Sequence, residues 1–189
     1  MAGLDLKSFC LPEGSGRPNL EAPFRRGAHV FATDGHVCVR VPCPDNVPEG
    51  DVAVEAIFQG IALDGPFAPL ARAVPPRATD PEACVYCDGR GTEHDCPDCH
   101  CDCDMCDGKG QVAHTESVLL AGRPFKLELV RKVAALPAVE FSLAPGIAPA
   151  AIHFRFAGGD GLLTGLTKQC RDERHHGELL ALPQAPEGG

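Results

Sequence analysis

The stretch FATDGHVCVRV, residues 31–41, contains an Asp-Gly dipeptide between two runs rich in apolar residues. Asp-Gly in this position is typical of a tight β-hairpin, because both residues tolerate the backbone angles that the turn requires. After the turn, Val37, Val39 and Val41 alternate with more polar residues, as expected for a strand with one buried and one wetter face. The stretch therefore predicts two antiparallel strands joined by a short turn.

A second hairpin is predicted in the C-terminal half, in AIHFRFAGGDGLLTGL, residues 151–166. Ile152, Phe154 and Phe156 alternate with polar residues, and the glycine-rich run 158–161 joins them to a second apolar segment. The segment 51–63 is ambiguous between helix and strand.

A helix is predicted between the two hairpins, in PFKLELVRKVAALP, residues 124–137. Proline at each end fits the boundaries of a helix. The apolar residues that would share one face are Phe125, Leu129, Val133 and Leu136. Together with the hairpins, this pattern predicts an α+β fold, mostly antiparallel sheet with few helices.

The composition excludes several classes of protein. The chain has 189 residues, with 17 Lys and Arg against 26 Asp and Glu, and a formal net charge of −9. This balance argues against a protein that coats nucleic acid by bulk electrostatics. No apolar run is long enough for a membrane-spanning helix, and the first residues lack the pattern of a signal peptide. Because the 11 cysteines are odd in number, we expect reduced thiols, a cytoplasmic location and metal ligation rather than disulfides.

Two octets share the pattern C-x2-C-x-G-x-G: a first octet at residues 84–91 and a second octet at residues 103–110. Their cysteine pairs are separated by 15 residues, a spacing typical of a four-thiolate zinc site. The glycines free backbone N–H groups to point at sulfur. A closed four-sulfur shell leaves no position for water, so we expect one structural, non-catalytic zinc. Its predicted ligands are Cys84, Cys87, Cys103 and Cys106.

The run HDCPDCHC, residues 94–101, lies between the octets and supplies three more thiols and two imidazoles. One interpretation is a second zinc on His94, Cys96, Cys99 and Cys101. The other is that these residues are spare ligands or exposed side chains. The sequence leaves both interpretations open.

The composition divides the chain into four parts. Residues 1–83 and 111–170 carry the globular pattern, and the Pro- and Ala-rich residues 64–83 are predicted to be a linker. Residues 84–110 form a cysteine module, and residues 171–189 are predicted to be a polar tail. The module contains seven acids and two bases. Because this charge repels phosphates, a protein surface is the expected partner of the module.

The two octets resemble the cysteine-rich zinc domain of DnaJ-type co-chaperones, in which four C-x2-C-x-G-x-G repeats are paired on two zincs. The resemblance covers residues 84–110. A middle pair, Cys96 and Cys99, lacks the glycines, a fourth repeat is missing, and there is no His-Pro-Asp tripeptide of a J-domain. The resemblance implies a zinc-held, hairpin-like module that contacts other polypeptides, without co-chaperone function.

The stretch 31–41 also resembles the strand–turn–strand signature of bacterial DNA-polymerase sliding clamps, where an A-T-D-G-H turn precedes an alternating strand. The later order of strand, helix and three strands is similar to the end of a sliding-clamp domain. The resemblance implies a single clamp-like domain, interrupted by a zinc knuckle. Clamp helices face DNA with basic residues, which implies weak DNA contact by Lys126, Arg131 and Lys132. An ordinary solvated helix face has the same composition.

We expect no enzyme activity, because the sequence has no phosphate-binding loop, nucleophile elbow or zinc-protease motif. The first functional hypothesis is a zinc-binding accessory protein with a clamp-like domain, acting through protein and DNA contacts in phage or bacterial DNA metabolism. The second is a DnaJ-like module that binds polypeptide partners without DNA. A positive helix face would favour the first, and exposed apolar side chains on the cysteine module would favour the second.

Overall fold

Most of the regular structure is β-strand, and antiparallel pairing dominates. A computed structural model describes residues 4–42, 47–52, 54, 58, 65–76, 81–92, 101–104, 106–112, 116–144, 151–166 and 174–180. Helix α1 spans Leu127–Ala134, and two 3₁₀ turns span Leu6–Phe9 and Pro18–Leu20. The strands are β1 Phe24–Arg26, β2 His29–Thr33, β3 Val37–Pro42, β4 Phe67–Ala68, β5 Glu82–Ala83, β6 Gln111–Val112, β7 Glu116–Leu120, β8 Arg123–Lys126, β9 Glu140–Ser142, β10 Ala151–Phe156, β11 Gly159–Thr164 and β12 Arg174–Leu180. The predicted class, α+β with mostly antiparallel sheet and few helices, is confirmed.

Seven strands form one antiparallel sheet in the order β1-β2-β3-β11-β10-β9-β4. Both predicted hairpins are present, since β2 pairs with β3 and β10 pairs with β11. The first turn is fixed by Asp34, whose Oδ1 accepts the N–H groups of His36 and Val37, both at 2.9 Å. Because β3 also pairs with β11, the N-terminal and C-terminal halves of the chain share a single sheet.

The largest core is formed by one face of this sheet, helix α1 and the smaller sheet β12-β7-β8. Val37 and Val39 of β3 are buried there, as the alternation predicts. The opposite face of β3 is drier than predicted, because Cys38 is also buried, within a second apolar cluster. The members of that cluster are Phe24, Phe31, Cys38, Val54, Phe58 and Leu162.

Three polar residues lie on the same face of the sheet as the second cluster. The guanidinium of Arg40 donates to both carboxylate oxygens of Asp160, at 2.8 and 2.7 Å. Oδ2 of Asp160 also lies 3.0 Å from Nε2 of the buried His153. Burial raises the pKa of Asp160, but the hydrogen bonds with His153 and Arg40 outweigh it and hold the pKa below its usual value. The hydrogen bonds of Arg40, Asp160 and His153 thus connect three neighbouring strands, β3, β11 and β10.

The C-terminal segment is more ordered than the sequence predicts. Residues 171–189 are predicted to be a polar tail, whereas Arg174–Leu180 form β12, which pairs with β7 in parallel. Leu179 and Leu180 are 2% and 1% exposed and complete the largest core. The sequence gives no sign of this strand, because the segment is mostly polar and its two buried leucines are adjacent, which is not the alternation of a half-buried strand.

The helix is shorter than predicted, because residues 124–126 belong to β8 and α1 begins at Leu127. Phe125 is buried, as expected, but it lies on a strand that pairs with β7 as far as Lys126. The turn between these strands contains Ala121 and Gly122, both with positive φ, so β7 and β8 form a third hairpin. At eight residues α1 is far too short to cross a bilayer, and the described part of the chain has no helix that is long and apolar enough to do so.

Part of the predicted linker, residues 64–83, contributes to the sheets. β4 pairs with β9 in the large sheet, and β5 pairs with β6. Leu70 and Val74 also pack against the largest core. Strands of two residues carry no period, so the Pro- and Ala-rich composition is all that the sequence displays here.

Candidate metal centre

Four cysteine side chains meet next to the small sheet formed by β5 and β6. The antiparallel pairing of these strands brings the two ends of the cysteine module together. Each of the four cysteines is at most 5% exposed, and their sulfur atoms all lie within 4.8 Å of one another. They are Cys84, Cys87, Cys103 and Cys106, the residues predicted from the spacing of the octets. Four buried thiols this close together form a possible metal-binding cluster.

The distances between the sulfurs distinguish a metal site from disulfides. The Sγ atoms of Cys84 and Cys103 are 3.9 Å apart, and those of Cys87 and Cys106 are 3.8 Å apart. A disulfide bond would require about 2.05 Å. Four sulfurs placed about 2.3 Å from a zinc ion at tetrahedral angles would be about 3.8 Å apart. The cluster therefore has the donor set and the dimensions that fit zinc.

Each octet directs a backbone N–H at one of its own sulfurs. The N–H of Gly91 donates to Sγ of Cys87, and the N–H of Gly110 donates to Sγ of Cys106, both at 3.2 Å. Such hydrogen bonds favour the thiolate form and orient the sulfur, as outer-shell partners commonly do in metal sites. The glycines of the octets have this role as predicted from the sequence.

The two octets also bind each other in a reciprocal way. The N–H of Cys84 donates to the carbonyl of Gly110 at 2.9 Å, and the N–H of Cys103 donates to the carbonyl of Gly91 at 2.8 Å. Each octet therefore closes over the other, with an approximate twofold relation around the four sulfurs. The equal spacing of the repeats implies two similar turns, but this mutual pairing is visible only in three dimensions.

Gly91 and Gly110 are required by the close approach of the octets as well as by their backbone angles. Their φ values are +81° and +69°, in the left-handed region. A Cβ atom on Gly91 would lie 2.4 Å from the carbonyl oxygen of Gly108, and one on Gly110 would lie 2.3 Å from that of Gly89. No side chain can be added at either position without moving the backbone around the sulfurs.

The electrostatic environment differs between the sulfurs. Burial raises the pKa of Cys106, although the Gly110 N–H opposes this effect. For Cys87 burial acts in the same direction, but the Gly91 N–H and the neighbouring thiols outweigh it and lower the pKa to about 7. A lowered pKa favours the thiolate, which is the form that binds metal.

Only one of the four ligands predicted for a second zinc, Cys101, is among the described residues. His94, Cys96 and Cys99 lie outside the described residues, so that site stays a prediction. Cys101 is a free, exposed thiol. It is not a member of the four-sulfur cluster.

The basic residues predicted to contact DNA lie on or beside α1, and two of them have partners within the protein. Nζ of Lys132 is 3.4 Å from Oδ2 of Asp34, the residue that fixes the first hairpin. The guanidinium of Arg131 donates twice to the carbonyl of Pro75, at 3.0 and 2.7 Å. Lys126 immediately precedes the helix. These contacts leave the helix with less free positive charge than its sequence suggests.

Sequence reasoning missed two residues of the module that the structure makes conspicuous. Val85 and Tyr86, between Cys84 and Cys87, are 68% and 58% exposed. Among the described residues, Leu4 is the other large hydrophobic side chain that is exposed. A signal was available in the sequence, because two cysteines that turn inward to one metal force the two side chains between them to point outward.

The chain was also compared with known proteins. No protein-family model, curated protein or solved structure matches it. The functional conclusion therefore depends on the residues and the geometry of the chain itself.

Proposed function

We propose that this protein is a zinc-binding, non-catalytic accessory protein that holds a polypeptide partner on its cysteine module. The observation that carries the proposal is the exposure of Val85 and Tyr86 on a segment whose four ligand cysteines are buried. Large hydrophobic and aromatic side chains that are exposed together are a feature of protein-interaction sites. This is also the feature that favours polypeptide binding over DNA binding.

In this proposal the zinc is structural. The buried hydrophobic cluster of the module consists of the four cysteines alone, so the module has no apolar core of its own among the described residues. Metal–sulfur bonds supply the missing folding free energy in small domains of this kind. Four protein ligands complete a tetrahedral shell, so the ion has no open position at which to activate water.

The second candidate, a clamp-like domain that contacts DNA in phage or bacterial DNA metabolism, is supported less well. The A-T-D-G-H segment does form a hairpin, but Asp34 uses its carboxylate to fix the turn and to pair with Lys132. Arg131 is also engaged within the protein. With a net charge of −9, the chain has no excess of cations to attract phosphates.

The proposal is tested by comparing zinc-loaded and chelated protein on an array of random-sequence peptides. We expect the zinc-loaded chain to bind a subset of peptides that the chelated chain does not bind. The control is zinc-loaded Leu4→Ser protein, which loses an exposed apolar side chain outside the cysteine module and should bind the same peptides as the unaltered chain. Equal binding by the loaded and chelated forms would contradict the proposal, and so would binding of primed DNA together with no peptide binding.

A further inference from the structure

We propose that the Val85–Tyr86 knuckle, defined as residues 84–87, selects a cationic segment of its partner, in which Lys or Arg residues flank an aliphatic side chain. This inference rests on the proposed function, because it names the chemistry of the polypeptide that the module holds. Three features of the module carry it: the rigidity of the knuckle, the difference between the two octets, and the distribution of charge around the apolar pair.

The apolar pair is presented by a fixed backbone. The N–H of Gly89 donates to the carbonyl of Cys84 at 3.0 Å, and the N–H of Arg90 donates to the carbonyl of Cys87 at 2.9 Å. The two cysteines that flank the pair are fully buried. A partner that docks here therefore pays little of the ordering entropy that a flexible loop would cost.

The two octets differ at the position that follows their first cysteine. In the first octet this position is Val85, and in the second octet it is Asp104, which is also exposed. The backbone hydrogen bonds of the octets correspond closely, so the difference lies in the side chains that they display. At this position the first octet thus displays an apolar side chain and the second octet displays an acidic one.

The module that displays the apolar pair is acidic. The described residues of the module and of the two strands that flank it, 81–92, 101–104 and 106–112, contain five acids and two bases, a net charge of −3. Arg90 and Lys109 each lie near the aspartate two residues earlier in the chain, at 3.9 and 3.6 Å, so neither is a spare cation. The five acids, all exposed, are Glu82, Asp88, Asp102, Asp104 and Asp107.

Bound zinc would make the module more negative, because the four negative thiolates outweigh the two positive charges of the ion. A nucleic acid or an anionic membrane would be repelled by such a surface, whereas a cationic peptide would be attracted. The ring of Tyr86 offers a face for a Lys or Arg side chain, and Val85 offers an apolar contact for an aliphatic one. Charge and apolar contact together select the partner.

The protein carries its own reporter for this surface. The chain has one tyrosine and no tryptophan, so its tyrosine fluorescence comes from Tyr86 alone. The experiment titrates the full, zinc-loaded chain with short peptides that lack aromatic residues and alternate leucine with lysine or arginine, glutamate, or serine. We expect the cationic peptide to change the fluorescence saturably, with an affinity that falls about tenfold between 0.1 and 1 M salt.

Three variants identify the surface that is used. Val85→Ser keeps the reporter and should weaken the cationic peptide about tenfold, whereas Asp104→Asn should weaken it roughly two- to fivefold. Leu4→Ser should leave the affinity unchanged. Because Tyr86→Ser removes the fluorescence, that variant is measured by calorimetry, and we expect a loss of at least about tenfold.

The failure of this inference is distinguishable from the failure of the proposed function. The charge selection would be overturned if the serine or glutamate peptide bound as tightly as the cationic peptide and Val85→Ser weakened that binding. Polypeptide binding by the module would then remain in place. Binding that is unaffected by both Val85→Ser and Tyr86→Ser would overturn the assignment of the surface. Absence of binding by every peptide to zinc-loaded protein would overturn the inference, and absence on the random-sequence array as well would overturn the proposed function.

Discussion

Replacing Gly91 by alanine is the sharpest perturbation of the metal centre that leaves all four ligands in place. The new Cβ would lie 2.4 Å from the carbonyl oxygen of Gly108, about 1 Å closer than ordinary contact. The first octet must therefore move away from the second. The hydrogen bond from the Gly91 N–H to Sγ of Cys87, 3.2 Å long, lies in the segment that moves.

The magnitude follows from the hydrogen bond that is lost. A hydrogen bond to a charged group contributes about 1.5–3 kcal/mol, and loss of an outer-shell partner typically costs 10- to 100-fold in metal affinity. We therefore expect Gly91→Ala to weaken zinc binding about 10- to 100-fold, measured by competition with a chromophoric chelator. Gly16→Ala is the control, since Gly16 has nearly the same φ, +78° against +81°, and no atom within 4 Å of an added Cβ. Equal zinc affinities for the two variants would refute the reasoning.

Four further predictions address the rest of the structure. Cys106→Ser should release the metal while most of the far-ultraviolet circular dichroism remains, because the large sheet contains none of the module; loss of most of the signal would contradict this division. Leu180→Ala should lower the free energy of unfolding by about 2–5 kcal/mol in urea titrations, because this residue of β12 is 1% exposed; an unchanged stability would show that the C-terminal strand does not complete the core. Asp160→Asn should destabilise the protein by roughly 1.5–3 kcal/mol at neutral pH. The difference in stability between the two proteins should shrink as the pH falls below about 4. Because the pKa of Asp160 is lowered in the folded state, its carboxylate stabilises the fold above the unfolded-state pKa, and this stability is lost as the pH falls through the folded-state pKa. A stability difference that is independent of pH would contradict the assignment. Finally, if the clamp-like hypothesis holds, binding to primed DNA should weaken with salt and on neutralising basic residues of the helix, and no binding at low salt would leave only a resemblance of fold. Those residues are Lys126, Arg131 and Lys132.

The parts of the fold that the sequence predicts well are those determined by neighbouring residues. Asp34 and the following glycine specify a turn through contacts within four residues, and the valines of β3 specify which face is buried. β12 is different, because it is defined by parallel pairing with β7, far away in the chain. Leu179 and Leu180 become core residues only when that pairing exists, so no local pattern identifies them.

The same division applies to the metal centre. The spacing of the cysteines predicts the four buried sulfurs, because two such turns suffice to surround one ion. The spacing does not reveal that Gly91 and Gly110 each lie against the other octet. It also does not reveal that Val85 and Tyr86 remain uncovered, since exposure depends on what packs nearby. The C-x2-C turn implies that these two side chains point outward, and the structure adds that they remain exposed.

The metal content of the full chain tests the central claim most directly. Native mass spectrometry of protein purified under reducing conditions should show at least one tightly bound zinc per chain, and Cys84→Ser combined with Cys103→Ser should remove one ion. Cys101→Ser is the matched control, since this thiol is exposed and lies outside the cluster of four sulfurs; it should retain that ion. Metal-free protein with its cysteines reduced, or a zinc content that does not change in the double variant, would contradict the account.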